Sequence, residues 1–413
     1  MATNAIPKMQ EYAWSKDLDN PSKPKVLLVG TVDVDLRLDL MLRLDGSFNV
    51  AAVGSNPDLE ERFLNAGFKY YNYTLHRQVN PLMDLYSISQ LVMLFRRLKP
   101  DIVHAFSAKP CALARQAARL AGVPVVIGTL TGLSSLYATD DFSVRLVRSV
   151  YEPLQKLSCY ISDLTTFQNH DDWRRYTQIG IVSEEKSMVI PGSGVPTEKF
   201  DPKKISPQEK LKLREELGIK PGEIVVTLIS RVIRTKGVIE FMEAAKRMKA
   251  DYPAVRFLLV GPNDADTIYS LDASELSELE ENVLWPGPRR DIPTVLAISD
   301  IFVYPSTHME GIPRVLLEAA SMGLPMITTD SPGCNDVVQD GINGFFVPAE
   351  DPETLSTLIT RLIEQPELRN QFSQAARRCA VERFDLSIIS DQICDIYNSY
   401  LENKHPALVV PSG

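Results

Sequence analysis

Cysteine and histidine are scarce in this chain, five of each among 413 residues. The cysteines, Cys111, Cys159, Cys334, Cys379 and Cys394, are odd in number, widely spaced and never form C-x-x-C. That excludes a disulfide scaffold and a thiolate zinc site, and they read as reduced packing residues of a cytoplasmic protein. The histidines, His76, His104, His170, His308 and His405, show no ligand spacing, so no bound metal is expected. The first apolar strand pattern runs into Gly30-Thr-Val-Asp instead of G-x-G-x-x-G, which argues against a dinucleotide oxidoreductase. With no G-x-S-x-G elbow, a serine hydrolase is equally unsupported. Low-complexity segments and short-period repeats are absent. The stretch MATNAIPKMQEYAWSKDLDNPSKPK holds no apolar core of signal-peptide length, so secretion is not expected. One uncharged run, Leu120 to Thr139, is long enough to span a bilayer. Gly122, Pro124, Gly128 and Gly132 interrupt it, and a buried strand followed by a loop accounts for it better.

What remains has the balance of a soluble globular protein, with 44% hydrophobic and 23% charged residues. The length suggests two or three domains at ~150 residues each. The net charge of −9 is unevenly placed: residues 1–195 carry 21 Lys/Arg against 20 Asp/Glu, whereas the remainder carries 23 against 33. Within residues 62–156 there are 12 basic and 5 acidic side chains. No aromatic series is interleaved with them, so nucleic acid is not the expected partner. An anionic membrane surface or a phosphorylated substrate fits, as does a set of solvated helix faces.

Strand and helix patterns alternate from Lys25 onward: KVLLVG, FNVAAVG, DIVHAF and VPVVIGTL as strands, with LEERFLNAG, DLYSISQLVMLFRRLKP and ALARQAARLAG as helices between them. Residues 186–202, with three prolines and two glycines, read as a linker. The alternation then restarts with EIVVTLISR, VRFLLVG, DIFVYPS and LPMITTD as strands. The expected architecture is α/β, with two doubly wound, Rossmann-like domains facing each other across a cleft. The expected division is a tail over 1–22, one domain over 23–195, a second over 196–385, a helix over 386–404 and a tail over 405–413.

The most informative segment is Glu310-Gly-Ile-Pro-Arg-Val-Leu-Leu-Glu318-Ala-Ala-Ser-Met-Gly323-Leu-Pro325. Pro313 suits the first turn of a helix that Gly323 and Pro325 end. Glu310 then lies in the loop before the helix. Glu318, among Val315, Leu316, Leu317, Ala319 and Ala320, is expected to be at least half buried. A buried carboxylate needs donors such as sugar hydroxyls, and free N–H groups at the helix start suit a phosphate between the two acids. A helix-dipole acid plus a salt-bridged surface glutamate is the alternative. Ser230-Arg231-Val-Ile-Arg-Thr-Lys236-Gly237 follows a strand and can clamp a diphosphate. Trp285-Pro-Gly287-Pro288-Arg289-Arg290-Asp291 is a turn whose backbone could meet a base edge.

The combination SRVIRTKG, WPGPRRDI and SDIFVYPSTHMEGIPRVLLEAASMGLPMITTD resembles the donor half of family-four glycosyltransferases of the GT-B fold, marked by E-x7-E, here Glu310 and Glu318. LHRQVNPLMDL and PDIVHAFSAKPCALARQAARLAGVP resemble, more loosely, acceptor-domain segments of bacterial polysaccharide and lipid-linked-oligosaccharide members. The resemblance covers roughly residues 25–400. It implies a retaining, metal-independent transfer from a nucleotide sugar, a UDP-sugar by expectation, to a glycan or polyprenyl-diphosphate-linked acceptor, at the inner face of the cytoplasmic membrane. No cofactor is implied, because the nucleotide sugar is a substrate.

By the same resemblance Glu310, Arg231 and Lys236 act at the reacting centre, the two cations on the leaving diphosphate. Glu318 holds the ribose hydroxyls, Gly311, Ile312, Pro313 and Arg314 meet sugar and phosphate, and Gly287, Pro288 and Arg289 border the base. Arg77, His104, Lys109 and Thr131 fall on the acceptor side. The final helix crosses back to the first domain. Where close relatives carry H-T-H and a His before Gly-Leu, this chain has His104-Ala-Phe106 and Thr131-Gly132-Leu133. Asp33-Val-Asp35 and Asp264-Ala-Asp266 match the D-x-D of a different, metal-using glycosyltransferase fold and are taken as loop acids. A nucleotide-sugar epimerase or hydrolase on the same architecture, and a non-catalytic assembly subunit, are the alternatives.

Overall fold

The computed structural model describes residues 22–76, 80–132, 142–307 and 310–404. Each apolar run becomes a strand buried on both faces, as parallel sheets covered by helices require. The first sheet contains β1 (Lys25–Val29), β2 (Asn49–Gly54), β3 (Lys69–Asn72), β4 (Ile102–Phe106), β5 (Val125–Leu130), β6 (Leu164–Phe167) and β7 (Ser187–Val189) in the order β3-β2-β1-β4-β5-β6-β7. The second contains β8 (Ile224–Ile229), β9 (Val255–Val260), β10 (Ile301–Tyr304), β11 (Met326–Thr328) and β12 (Gly344–Phe346) in the order β12-β11-β10-β8-β9. Every strand pair is parallel.

Strand order reverses between β1 and β4 in the first sheet and between β8 and β10 in the second. Loops leaving the carboxyl ends at such a reversal diverge and open a crevice. The crevice loops are therefore Gly30–Arg37 and Ser107 on one side, and Ser230–Gly237, Pro305–Thr307 and Glu310–Pro313 on the other.

One reading of the sequence is corrected and another stands. The stretch taken wholly as a linker begins with β7, which pairs with β6. The run from Leu120 to Thr139 holds β5, and no helix among the described residues is long and apolar enough to cross a membrane. The chain passes between the sheets at Val195, which is bridged to Asp385, so both crossings lie side by side. Beyond that bridge the Leu386–Lys404 helix buries Ile389, Ile393, Tyr397 and Leu401 in the core beneath the first sheet.

Candidate active site

The E-x7-E segment folds as its residues suggest. Pro313 is the N-cap of the Arg314–Ser321 helix, and Glu318 lies within it with 8% of its surface exposed. Burial raises the Glu318 carboxyl above its usual range, and the nearby Arg314 guanidinium opposes that shift.

Lys236 sits at the end of a short turn, Arg234–Lys236, closed by Gly237 at φ +72°. A Cβ on Gly237 would lie 2.4 Å from the Pro305 carbonyl, so only glycine lets this loop press against the one after β10. The Thr307 amide and the Ser306 hydroxyl, each 3.0 Å from the Thr235 carbonyl, fasten the two loops together. The result is a cluster: Lys236 Nζ pairs with Glu310 Oε1 and donates to the Tyr304 hydroxyl at 3.0 Å, and that hydroxyl donates to Glu310 Oε1 at 3.0 Å. Lys236 is 6% exposed. Burial, with Arg231 adding to it, pushes its ammonium down to about 7, while the Glu310 carboxylate in contact with it works the other way.

Arg231 is brought to the same loop, its Nη1 2.5 Å from Asp264 Oδ2. Asp264, set aside from the sequence as a loop acid, therefore holds a guanidinium of this site. Asp35 pairs with Arg62 and Asp33 accepts from the Thr31 hydroxyl, so neither stands free at the β1 end.

The two halves touch through this segment. The Gly311 amide donates to the Thr131 carbonyl at 2.9 Å. A Cβ on Gly311 would fall 2.2 Å from Gln168 Oε1 and 2.8 Å from the Thr131 oxygen. Ile312, 5% exposed, packs in the second core. Arg314 donates from Nε to Glu318 at 2.9 Å, from Nη1 to the Leu36 carbonyl at 2.9 Å and from Nη2 to Asp39 at 2.7 Å. Arg314 thus ties the carboxylate assigned to ribose to the other domain. Its partners Leu36 and Asp39 carried no signal in the sequence, since nothing local marks a contact 275 residues away.

Several acceptor-side residues are placed differently from expectation. His104 is buried inside the first domain, 2.7 Å from the Tyr397 hydroxyl through Nδ1 and 2.6 Å from Thr129 Oγ1 through Nε2. Burial pushes it down to about 3, so it is a neutral fastener between β4 and the crossing helix. Lys109 pairs with Asp84 at 2.7 Å and donates to the His76 carbonyl at 2.6 Å. Thr131 does line the cleft. Arg77 lies outside the described residues, as do His308 and Met309. Gly287, at φ +83°, accepts from the Gly261 amide and has open space where a side chain would be. Pro288 follows it. Arg289 is held by Asp291 through two hydrogen bonds of 2.8 and 2.7 Å and by Glu216 at 2.6 Å. These partners raise its pKa and fix its side chain in the turn.

A cavity of about 400 Å³ opens at the carboxyl ends of β10–β12, lined by Ser306, Thr307, Thr329, Asp330 and Ser331. Another, of about 440 Å³, lies at the amino end of β9, away from the cleft.

The chain matches known families and proteins. A family model described as "Glycosyl transferases group 1" matches residues 209–379, and one described as "Glycosyl transferase 4-like" matches residues 25–169. The chain is 33% identical over 337 residues to the UDP-Gal:alpha-D-GlcNAc-diphosphoundecaprenol alpha-1,3-galactosyltransferase of Escherichia coli, covering 80% of this chain and 84% of that protein. It is 27% identical over 361 residues to an N,N'-diacetylbacillosaminyl-diphospho-undecaprenol alpha-1,3-N-acetylgalactosaminyltransferase of Campylobacter jejuni, covering 87% and 93%. Anabaena Alr3699/HepE, solved with UDP and glucose, shares the fold with a TM-score of 0.74 at 21% identity, over 91% of this chain and 100% of that one.

Proposed function

We propose that this chain, which belongs to the family-four glycosyltransferases of the GT-B fold, moves a sugar from a UDP-sugar to a hydroxyl of a polyprenyl-diphosphate-linked glycan, with retention and without a metal. The observation that carries the reading is the Lys236–Glu310–Tyr304 cluster standing at the mouth of the helix that holds Glu318.

In this reading the donor diphosphate lies between Lys236, Arg231 and the start of the Arg314–Ser321 helix. The bond from the anomeric carbon to the diphosphate oxygen breaks, its electron pair staying on that oxygen, where the two cations hold the charge. The acceptor hydroxyl bonds to the same face of the anomeric carbon and gives its proton to the departing phosphate. A second carboxylate placed for double displacement is not among the residues assigned here, which favours this front-face course. Glu310 sits beside the transferred sugar, and Glu318 exchanges Arg314 for ribose hydroxyls. Metal independence is supported by the charge match: the diphosphate meets two side-chain cations and a helix start, and Asp33, Asp35 and Asp264 are each engaged by another side chain.

The acceptor class is taken from the two relatives whose names specify diphosphoundecaprenol carriers. A lipid-borne acceptor calls for contact with an anionic membrane at the cytoplasmic side. The helices Pro81–Leu98 and Phe142–Ile161 support it, exposing Leu82, Leu85, Met93, Leu146, Val150, Leu157 and Tyr160 in the basic part of the chain. The test is turnover of a UDP-sugar panel with a polyprenyl-diphosphate-linked sugar. Transfer with retained configuration in the presence of a chelator is expected. Isomerised donor without acceptor, or no turnover, would contradict the reading.

A further inference from the structure

The first domain places a cation in the cleft for which the site described so far has no use. Arg37 ends the Val34–Arg37 turn that leaves β1 at the strand-order reversal. The residue as a whole keeps some exposed surface, but its guanidinium is deep enough for desolvation to push it down to about 10. It stacks 4.5 Å from the centroid of the Phe106 ring and donates from Nη1 to Ser193 Oγ at 2.8 Å. Ser193 Oγ is itself fixed by Gln168 Nε2 at 2.9 Å.

Among the described residues Arg37 has no ion pair with a carboxylate. The nearby acids are committed elsewhere: Asp33 to Thr31, Asp35 to Arg62 and Asp39 to Arg314. Arg314 adds repulsion from across the cleft. A guanidinium carries five N–H donors in a fork suited to phosphate, and the charge of Asp33 only partly offsets the cost of enclosing this one. It borders a cavity of about 20 Å³ that Thr129, Thr166, Gln168 and Ser193 also line. That volume holds little more than one water, so an anion reaches the guanidinium only once the side chains around it shift.

We propose that Arg37 binds a phosphate group of the acceptor, receiving its diphosphate on the first domain's side of the cleft while Lys236 and Arg231 hold the donor's on the other. This rests on the phosphorylated lipid acceptor inferred above. The same chemistry could come from the donor, and the experiment separates the two. Calorimetry on the full chain measures farnesyl diphosphate as a soluble prenyl diphosphate and, separately, UDP, for the parent, Arg37→Lys and Arg37→Met.

The expected result is that Arg37→Met weakens farnesyl diphosphate at least tenfold and Arg37→Lys less, with UDP within twofold of the parent. The melting temperature of Arg37→Met should equal or exceed the parent's, because a desolvated cation is gone. Retained UDP affinity also shows that the variant folds. Unchanged farnesyl diphosphate binding in Arg37→Met, or a parent that binds UDP but not farnesyl diphosphate, would overturn the proposal. A UDP loss as large as the farnesyl diphosphate loss would assign Arg37 to the donor and overturn it too. Failure of UDP to bind the parent would instead strike the donor site, leaving the farnesyl diphosphate comparison to decide the role of Arg37.

Discussion

At the scale of single residues the account depends on buried charges. Lys236→Ala removes a cation from a diphosphate site and is expected to lower kcat/KM by about 10²–10³-fold while circular dichroism stays unchanged. The depressed Lys236 ammonium adds a pH dependence. Burial pushes it down to about 7, and a bound diphosphate raises its pKa. Binding then takes up a proton, so UDP affinity falls as pH rises from 7 to 9, by at most tenfold per unit. Calorimetry across that range checks it, and a flat profile would count against Lys236. His104 works in the opposite direction. Its folded value of about 3 lies below the unfolded ~6.5, so the stability it confers is complete above pH 6.5 and is lost as pH falls from there toward 3. His104→Ala strands the Tyr397 hydroxyl, while Thr129 keeps its bond to Thr166, and should cost roughly 1–3 kcal/mol in chemical denaturation. Glu310, Glu318 and Lys236 could be picked out from the sequence because spacing and flanking residues mark a helix and its preceding loop. Tyr304, Asp264, Asp39 and Arg37 could not, since each acquires its meaning from a contact made only after folding.

At the scale of elements, what the sequence conveyed best was periodicity. β1, β5 and β8 are continuous apolar runs and were legible as such. β7 and β12, of three residues each, were not, because their charged or glycine-rich flanks read as loop, whereas the equally short β11 lies in the apolar run Leu324–Ile327. The Leu386–Lys404 helix shows Ile389, Ile393, Tyr397 and Leu401 at helical spacing, but only the structure gives its apolar stripe a partner, the core beneath the first sheet. The Phe142–Ile161 helix exposes Leu146, Val150, Leu157 and Tyr160 on one side, 61%, 54%, 49% and 76% accessible. Replacing Leu146, Val150 and Leu157 together by Ser should reduce cosedimentation with vesicles containing phosphatidylglycerol at least fivefold and leave the melting temperature within a few degrees. Equal sedimentation of variant and parent would remove this helix from the membrane surface.

At the scale of the whole molecule, the donor and acceptor halves are closed on each other by the Gly311–Thr131 main-chain bond, the Asn169 amide on the Glu310 carbonyl and the Arg314 bridge to Leu36 and Asp39. A methyl at position 311 meets the Thr131 carbonyl and so opposes closure without removing the amide. Gly311→Ala should therefore enlarge the radius of gyration in X-ray scattering and lower kcat at least tenfold, with UDP affinity nearly unchanged. If closure positions the acceptor over the donor, the two effects rise together. The measurement that bears most directly on the central claim is a crystal structure of the protein with UDP. The account predicts the β-phosphate within hydrogen-bonding distance of Lys236 Nζ and near the Arg314–Ser321 helix start, with Glu318 turned from Arg314 to the ribose. UDP bound elsewhere, with the Lys236–Glu310 and Arg314–Glu318 pairs undisturbed, would contradict it.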